Sequence, residues 1–229
     1  MPAEGRAITR LILYSLGCSQ FMSAQQWLQL LLQQLKETDF IQWLAVLLGI
    51  AEVLLAKANK IWLYPAGIAS IVLSIWVLYT AGLYAECLLN LYYLFMSIYG
   101  WRYWIKKKDQ PQVKITRSNS SEWLVTIVIS TIGTAILCLT LKHFTPSTVP
   151  LWDAFVSSTA WAGMWLLAKR KIENWILLNI SNAFAIPLLF KKELPLYALL
   201  TIFLFIIAVL GYIKWNKILQ KEKMQQSIL

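Results

Sequence analysis

The sequence has few charged residues and few of the side chains that build most enzyme sites. Asp, Glu, Lys and Arg make up 14% of its 229 residues, whereas a soluble domain usually has about 25%. It contains a single histidine, and its three cysteines, Cys18, Cys87 and Cys138, have no metal-ligand spacing. It also has no Ser–His–Asp set and no glycine-rich phosphate loop. These absences disfavour an enzyme, and we expect neither a cofactor nor a metal.

Long apolar runs take the place of polar loops, and hydrophobic residues make up 59% of the chain. A helix of about 20 apolar residues crosses the roughly 30 Å hydrocarbon core of a bilayer. The runs are continuous rather than alternating, which disfavours a β-barrel. We therefore predict an all-α integral membrane protein with seven transmembrane helices, at residues 41–56, 61–80, 83–105, 122–141, 151–168, 174–190 and 195–215.

Lysine and arginine are in excess, and the net charge is +10. Most of them flank the apolar runs, as topology signals do, and this placement disfavours nucleic-acid binding. With seven spans, most of the 21 Lys and Arg fall on one side of the membrane. We expect this side to be cytoplasmic, which places the C-terminus in the cytoplasm and the N-terminus outside. The basic loop 106–121 and the tail 216–229 are then expected to face anionic lipid.

Residues 1–39 differ in pattern from the rest and form an N-terminal extension. Within them, QQWLQLLLQQL (25–35) places one tryptophan and four leucines on one helical face and glutamines elsewhere. This pattern predicts an amphipathic helix that lies along the membrane surface. The arginines before the apolar patch LILYSLG make a poor signal peptide, because the patch is short. Two natural starts stay open, Met1 and Met22.

The sequence contains an internal repeat. The first span begins IQWLA and ends LLAKANKIW, and the fifth begins LWDAF and ends LLAKRKIENW. The third span opens LYA and closes GWRYW, and the seventh opens LYA and closes GYIKW. We predict a parallel 3+1+3 arrangement, with three-helix repeats at 40–105 and 151–215 and a linker helix at 122–141. Transporters built from such repeats bind substrate between them, near the membrane midplane.

Polar and aromatic residues inside the spans are the candidate site. Polar groups in lipid usually face the bundle interior or a cavity. Asparagine also bonds packed helices to each other, and tryptophan also lines membrane interfaces, so both alternatives compete with a ligand role. A flat, polar small molecule fits these residues. The two carboxylates in the spans could pair with Lys or Arg, be protonated, or attract a cationic ligand. The candidate residues are Trp175, Asn179, Asn182, Asn90, Tyr93, Glu52, Glu86 and Trp161.

The chain resembles the PnuC family of bacterial vitamin transporters. The residues that carry the resemblance are LYAECLLNLYYLFMSIYGWRYW (83–104), WDA (152–154), and AKRKIENW (168–175) followed by Asn182. The resemblance covers roughly residues 40–218. It implies a SWEET-like 3+1+3 fold in the bacterial inner membrane, a homotrimer with one pathway in each protomer, and a small-molecule vitamin as substrate. It further implies facilitated diffusion of nicotinamide riboside, which intracellular phosphorylation then traps.

Two positions depart from the pattern that nicotinamide riboside carriers of this family usually have. Trp175 and Asn182 match the motif, whereas Leu178 stands where a second tryptophan is typical and Asn90 where a glutamine is typical. Such pocket changes alter ligand preference by about 1–3 kcal/mol. Thiamine, a flat aromatic cation that related carriers transport, therefore stays open as the substrate. A membrane scaffold without transport is the remoter alternative.

Overall fold

The computed structural model describes residues 23–80, 82, 84–105, 114–145 and 148–226. Throughout these residues the chain is helical, apart from turns and one isolated parallel bridge between Thr116 and Lys171. The expectation of an all-helical protein is thus confirmed. The predicted alternatives for the start of the chain lie outside the described residues.

Eight helices occupy the described residues, and each of the seven predicted apolar runs coincides with one of them. Two helices extend beyond the predicted apolar runs by more than one residue at an end. Asn119 caps α5 through a capping box with Glu122, so this helix begins earlier, and α8 continues into the predicted tail. The helices are α1 (Ala24–Glu37), α2 (Phe40–Lys57), α3 (Leu63–Thr80), α4 (Tyr84–Ile105), α5 (Ser120–Phe144), α6 (Pro150–Ala168), α7 (Asn174–Lys191) and α8 (Pro195–Gln226).

Among the described residues, four helices are long and apolar enough to cross a membrane: α2, α3, α5 and the part of α8 that ends at Glu222. Helices α4, α6 and α7 fall outside this set. They carry most of the polar and aromatic candidate residues, which lower the hydropathy of a helix. The protein is therefore a membrane protein with several apolar helices.

Six helices pack in a closed ring. Helix α2 packs on α3, α3 on α4, α4 on α6, α6 on α7, α7 on α8, and α8 returns to α2. Helix α5 packs against α6, and α1 packs against α8. We call α2–α4 the first unit and α6–α8 the second unit. The ring gives the bundle an interior that side chains of both units reach.

The two units have matching bounds. Asn59 and Arg170 are 111 residues apart, and each adopts a left-handed conformation in the turn between the first two helices of its unit. The same separation relates α3 to α7 over their full length, and it relates the starts of α4 and α8. It also relates Gly82 and Glu193, the left-handed residues of the second turns.

Matching aromatic contacts close one end of the ring. Tyr64 packs edge-on against Trp104 at 5.2 Å in the first unit, and Trp175 packs edge-on against Trp215 at 5.6 Å in the second. The Trp104 indole N–H donates to the Ala168 carbonyl across the units at 3.1 Å. The reciprocal bond runs from the Trp215 indole to the Ala56 carbonyl, also at 3.1 Å. We call this end, which holds turns 58–62 and 169–173, the basic end.

Helix α1 lies at the opposite end. The Trp27 ring packs edge-on against Phe190 at 5.4 Å. The Gln34 side chain donates to the Glu193 carbonyl at 2.8 Å and accepts from the Leu196 amide at 3.2 Å. The predicted amphipathic helix therefore forms and rests on the turn between α7 and α8. Its orientation along a membrane surface stays a prediction.

Candidate functional site

One face of α4 points into the ring. Its residues recur at intervals of three and four, which is the spacing of a single helical face. Trp104 on this face reaches Ala168 of α6. A Cβ added at Gly100 would lie 2.6 Å from the Tyr64 ring of α3, so the two helices touch there. The residues of this face are Asn90, Tyr93, Ser97, Gly100 and Trp104.

Two hydroxyl groups near this contact lack partners. Ser97 is fully buried and Tyr64 is 2% exposed. Neither the Ser97 hydroxyl nor the Tyr64 hydroxyl has a hydrogen-bond partner among the described residues. A buried hydroxyl without a partner costs about 1–3 kcal/mol in proteins. These groups are therefore available for a bound molecule.

Glu52 lies on the buried side of α2 and rests on α3. A Cβ added at Gly67 would overlap the Glu52 carboxyl group, so the carboxylate lies directly over this glycine. No described residue forms an ion pair or a hydrogen bond with Glu52. A carboxylate in such a place needs a counter-charge or a proton. It could supply the counter-charge for a cation.

The wall formed by α7 contains two candidate residues in one cleft. Trp175 is 1% exposed. A Cβ at Gly211 would lie 2.7 Å from its ring. Its indole N–H and the buried Asn179 carbonyl oxygen have no hydrogen-bond partner in the described part of the chain. The cleft, of about 380 Å³, is largely apolar and is lined by Trp175, Ile176, Asn179, Ile180, Ala183, Phe205, Val209, Tyr212 and Ile213.

The other two motif positions of α7 lie toward α6. Leu178 packs against Gly163, where an added Cβ would come within 3.0 Å of the leucine side chain. The glycine on the neighbouring helix thus leaves the space that the side chain at position 178 occupies. Asn182 is partly buried. It follows Ser181, whose hydroxyl donates to the Val156 carbonyl at 2.8 Å and ties α7 to α6.

Trp161 and Tyr93 come together through Tyr92. The Tyr92 ring stacks on Trp161 with centroids 4.5 Å apart, and its hydroxyl donates to the Trp161 carbonyl at 3.1 Å. Tyr93 packs edge-on against Tyr92 at 6.2 Å. The buried indole N–H of Trp161 has no partner among the described residues. Aromatic rings of α4 and α6 thus form a second wall.

The last two candidates lie earlier on α4. Asn90 is partly buried, one turn before Tyr93 on the inward face. Glu86 belongs to α4 by its backbone, but its side chain lies outside the described residues. The structure therefore joins Trp175 with Asn179, and Trp161 with Tyr93. No hydrogen bond, ion pair or ring contact in the described part of the chain links these two groups to each other or to Glu52.

Four residues of the interior are absent from the sequence-based set: Tyr64, Tyr92, Ser97 and Arg170. Tyr64 carried a signal, because it stands 111 residues before Trp175, the same separation that relates Asn59 to Arg170. Tyr92 and Ser97 carried none, because tyrosine and serine are ordinary packing residues in apolar helices until their contacts are known.

Arg170 joins the two units at the basic end. It is 8% exposed, and its Nε donates to the Asn59 side chain at 2.9 Å. Its guanidinium lies over the Trp104 ring at 4.0 Å. Burial lowers the pKa of this guanidinium, so the charged form depends on the acceptors and the ring around it. Arg170 therefore stabilises the closed basic end.

A segment before α5 reinforces this end on the second unit. The Thr116 amide donates to the Arg170 carbonyl at 3.2 Å, and Ile115 is 3% exposed in the same cluster. The Ser118 hydroxyl donates to Glu173 at 2.9 Å. Lys171 forms a 2.9 Å ion pair with Glu122 of α5. Helix α5 is thus anchored to the turn between α6 and α7.

Membrane-length helices around an interior with unpartnered polar groups are the features of a polytopic membrane transporter. A sequence model of the family described as "nicotinamide mononucleotide transporter" matches residues 39–217. This match covers most of the chain, and the protein belongs to this family. The resemblance noted from the sequence is confirmed.

Individual relatives agree with this assignment. The chain is 29% identical over 200 residues to the nicotinamide riboside transporter PnuC of Neisseria mucosa, covering 80% of this chain and 75% of the relative. It is 22% identical over 205 residues to PnuC of Escherichia coli, covering 78% of this chain and 86% of the relative. A crystal structure of the vitamin B3 transporter PnuC matches with a TM-score of 0.64 at 27% identity, covering 86% of this chain and 92% of that one.

Proposed function

We propose that this protein carries nicotinamide riboside across the bacterial inner membrane. Named relatives of the family transport this compound. The observation that carries the proposal is the partly buried carboxylate of Glu52, which lies over Gly67 and lacks an ion-pair partner among the described residues. Nicotinamide riboside is a flat pyridinium cation with a hydroxyl-bearing ribose, and a carboxylate is the charge that such a molecule requires.

The charge distribution favours the riboside over the mononucleotide of the family description. Phosphate recognition usually relies on Arg or Lys. In the described residues, Arg and Lys lie in loops, at helix ends or in α8 beyond Gly211. Arg170, the buried one, is engaged with Asn59 and Trp104. This arrangement supports a cationic substrate over one that carries a phosphate group.

In the proposed site, Trp175 stacks on the aromatic ring of the ligand. Asn90, Asn179 and Asn182 bond its polar groups, and the Asn179 oxygen without a partner supports this role. Tyr93 and Trp161 close the cavity from α4 and α6. The carboxylates of Glu52 and Glu86 provide negative charge. Small-molecule sites typically combine apolar and aromatic surfaces with a small number of polar groups.

We also propose that seven helices span the membrane as a parallel 3+1+3 repeat, with α5 as the linker. The equal spacing of helix bounds and left-handed turn residues supports this arrangement. The packing order supports it as well, because exchanging α2, α3 and α4 with α6, α7 and α8 leaves the order of contacts in the ring unchanged.

The proposed mechanism is facilitated diffusion, in which one unit rocks against the other and a separate intracellular kinase traps the product. The units meet at the basic end through Arg170–Asn59 and the two tryptophan–carbonyl bonds, and these bonds would break as that end opens. Proteoliposomes that hold only this protein should exchange labelled substrate without ATP or an ion gradient. Uptake that requires either would contradict this mechanism.

Orientation and assembly complete the proposal, with the N-terminus outside, the C-terminus cytoplasmic, and three copies in each assembly. The broad exposed apolar face of α5, which includes Leu124, Ile132 and Leu139, suits contact with lipid or another copy. Cysteine labelling at the two termini of intact cells tests the orientation. Native mass spectrometry tests the trimer, and a monomer would exclude it.

Ligand binding to the purified protein tests the proposed function. Quenching of tryptophan fluorescence should saturate with nicotinamide riboside and respond far less to nicotinamide mononucleotide. Saturation with thiamine alone would instead assign the protein to the thiamine carriers of the family. No response to any of the three would favour the scaffold alternative.

A further inference from the structure

Three polar groups in the first unit have no explained partner: the Glu52 carboxylate, the Tyr64 hydroxyl and the Ser97 hydroxyl. Tyr64 and Ser97 are 2% and 0% exposed, and both hydroxyl groups lack a hydrogen-bond partner among the described residues. Glu52 likewise has no ion pair or hydrogen bond there. Buried polar groups in native proteins are nearly always satisfied, and exceptions point to an absent ligand or water.

These three groups come from three helices that touch one another at Gly67 and Gly100. Glu52 of α2 lies over Gly67, which is one turn after Tyr64 on α3. The Tyr64 ring touches Gly100, which is one turn after Ser97 on α4. We call Glu52, Tyr64 and Ser97 the polar triad. It combines one carboxylate with two hydroxyls in a single unit.

The corresponding positions of the second unit are apolar. At the separation of 111 residues that relates Asn59 to Arg170, the counterparts of the triad are Gly163, Trp175 and Ala208. Ala208 is 2% exposed and Trp175 is 1% exposed. Where the first unit offers charge and hydroxyls, the second offers an indole ring and small side chains. The interior is therefore asymmetric although its frame is repeated.

We propose that the polar triad binds the ribose hydroxyls and the edge of the charged ring that carries the ribose, while the face of that ring lies against Trp175 of the second unit. The ligand class is a hydroxylated aromatic cation. This inference rests on the proposed function and adds Tyr64 and Ser97 to it. A carboxylate selects a cation over a neutral molecule of the same shape, and two hydroxyls select a ribose over a methyl group.

Arg170 of the second unit lies near this region, because its guanidinium packs over the Trp104 ring, which contacts the Tyr64 ring. Its guanidinium is held by Asn59 and by the Trp104 ring. It is therefore occupied at the basic end and forms no ion pair with Glu52. A neutral ligand would leave that carboxylate uncompensated.

Three ligands, compared in two pairs, separate recognition of the charge from recognition of the shape. Nicotinamide riboside is compared with its neutral reduced form, dihydronicotinamide riboside, and with 1-methylnicotinamide, a cation without hydroxyls. Binding is measured by calorimetry on the wild type, Glu52→Gln, Tyr64→Phe and Ser97→Ala. Glu37→Gln serves as the control, because it removes a carboxylate from the exposed end of α1.

Glu52→Gln should weaken nicotinamide riboside and 1-methylnicotinamide by roughly 10–100-fold and the reduced riboside by less than about threefold. Tyr64→Phe and Ser97→Ala should each weaken both ribosides by about 3–10-fold and leave 1-methylnicotinamide unchanged. These two variants keep the inference testable if Glu52→Gln does not fold. The Glu37 control should bind every probe as the wild type does.

Equal losses for all three probes would overturn the inference, since they would indicate general damage to the cavity. Unchanged affinities in all three variants would overturn it as well. In both cases the wild type still binds nicotinamide riboside, and the proposed function stands. A wild type that binds none of the probes would overturn the proposed function together with this inference.

Discussion

The two three-helix units share a frame and differ in what they place inside it. The frame includes one serine in each unit that bonds the preceding helix: Ser70 donates to the Ala45 carbonyl and Ser181 to the Val156 carbonyl, both at 2.8 Å and both across 25 residues. Gly100 and Gly211 likewise make room for an aromatic ring. The interior positions differ, because polar residues in one unit correspond to apolar residues at the equivalent positions of the other.

This difference separates structure from specificity. Positions with the same residue in both units hold helices together. Their contacts are accounted for without a role in ligand binding. Positions that differ include Glu52 against Gly163, and Asn182 against Ile71. Two units with similar frames and unequal interiors can hold a ligand whose parts differ in polarity, such as a flat pyridinium cation that bears a hydroxylated ribose.

Removing the Arg170 side chain should have the largest effect on stability. Arg170→Ala loses a charge-assisted hydrogen bond and a cation–π contact, which together contribute about 2–4 kcal/mol. Asn59→Ala should cost about 1–2 kcal/mol, because Arg170 keeps Trp104. Unfolding of the detergent-solubilised protein in a denaturant series measures both. Equal losses of unfolding free energy in the two variants would contradict the larger role assigned to Arg170.

The glycines beneath Glu52 and Leu178 give the second comparison. In Gly67→Ala the new methyl group overlaps the Glu52 carboxyl group and displaces it. We expect nicotinamide riboside affinity to fall by roughly 10-fold or more, since the charge pair is worth several kcal/mol. Gly163→Ala meets Leu178 at 3.0 Å. Small leucine adjustments should limit its loss to about threefold.

Titration calorimetry of these two glycine variants decides between charge and packing. A larger loss of affinity in Gly163→Ala than in Gly67→Ala would place the critical wall in the second unit. The melting temperatures of both variants serve as the control for general damage.

The sequence predicts the frame better than the interior. The seven apolar runs locate α2–α8, and the matching LLAK and LYA segments indicate the repeat, because helix period and repeated letters are visible without contacts. Tyr64 and Ser97 resemble packing residues until their unpartnered hydroxyls are seen. In the sequence, Arg170 resembles a topology signal. Its structural role is not visible there, because its bond to Asn59 joins turns that are 111 residues apart.

The continuation of α8 beyond the apolar run also escapes hydropathy. The run ends near Trp215, and charged residues follow. Leu219 nevertheless packs into the core cluster at the basic end with 6% exposure. Tertiary packing of one apolar stripe, rather than overall hydropathy, keeps this part helical.

The two interhelical serines should show the smallest and most nearly equal effects. Ser70→Ala and Ser181→Ala each remove one hydrogen bond from a hydroxyl to a backbone carbonyl, worth about 0.6 kcal/mol in membrane proteins. The two losses of unfolding free energy should agree within a few tenths of a kcal/mol, and ligand affinity should not change. A marked difference between them would show that the frame is not shared.

The most direct test of the account is a structure of the protein with nicotinamide riboside bound, determined by cryo-electron microscopy. The account predicts that the pyridinium ring lies against Trp175 in the second unit. It places the ribose hydroxyls and the ring nitrogen that carries the ribose toward Glu52, Tyr64 and Ser97 in the first unit. A ligand seated in the α7–α8 cleft, away from the first unit, would contradict it.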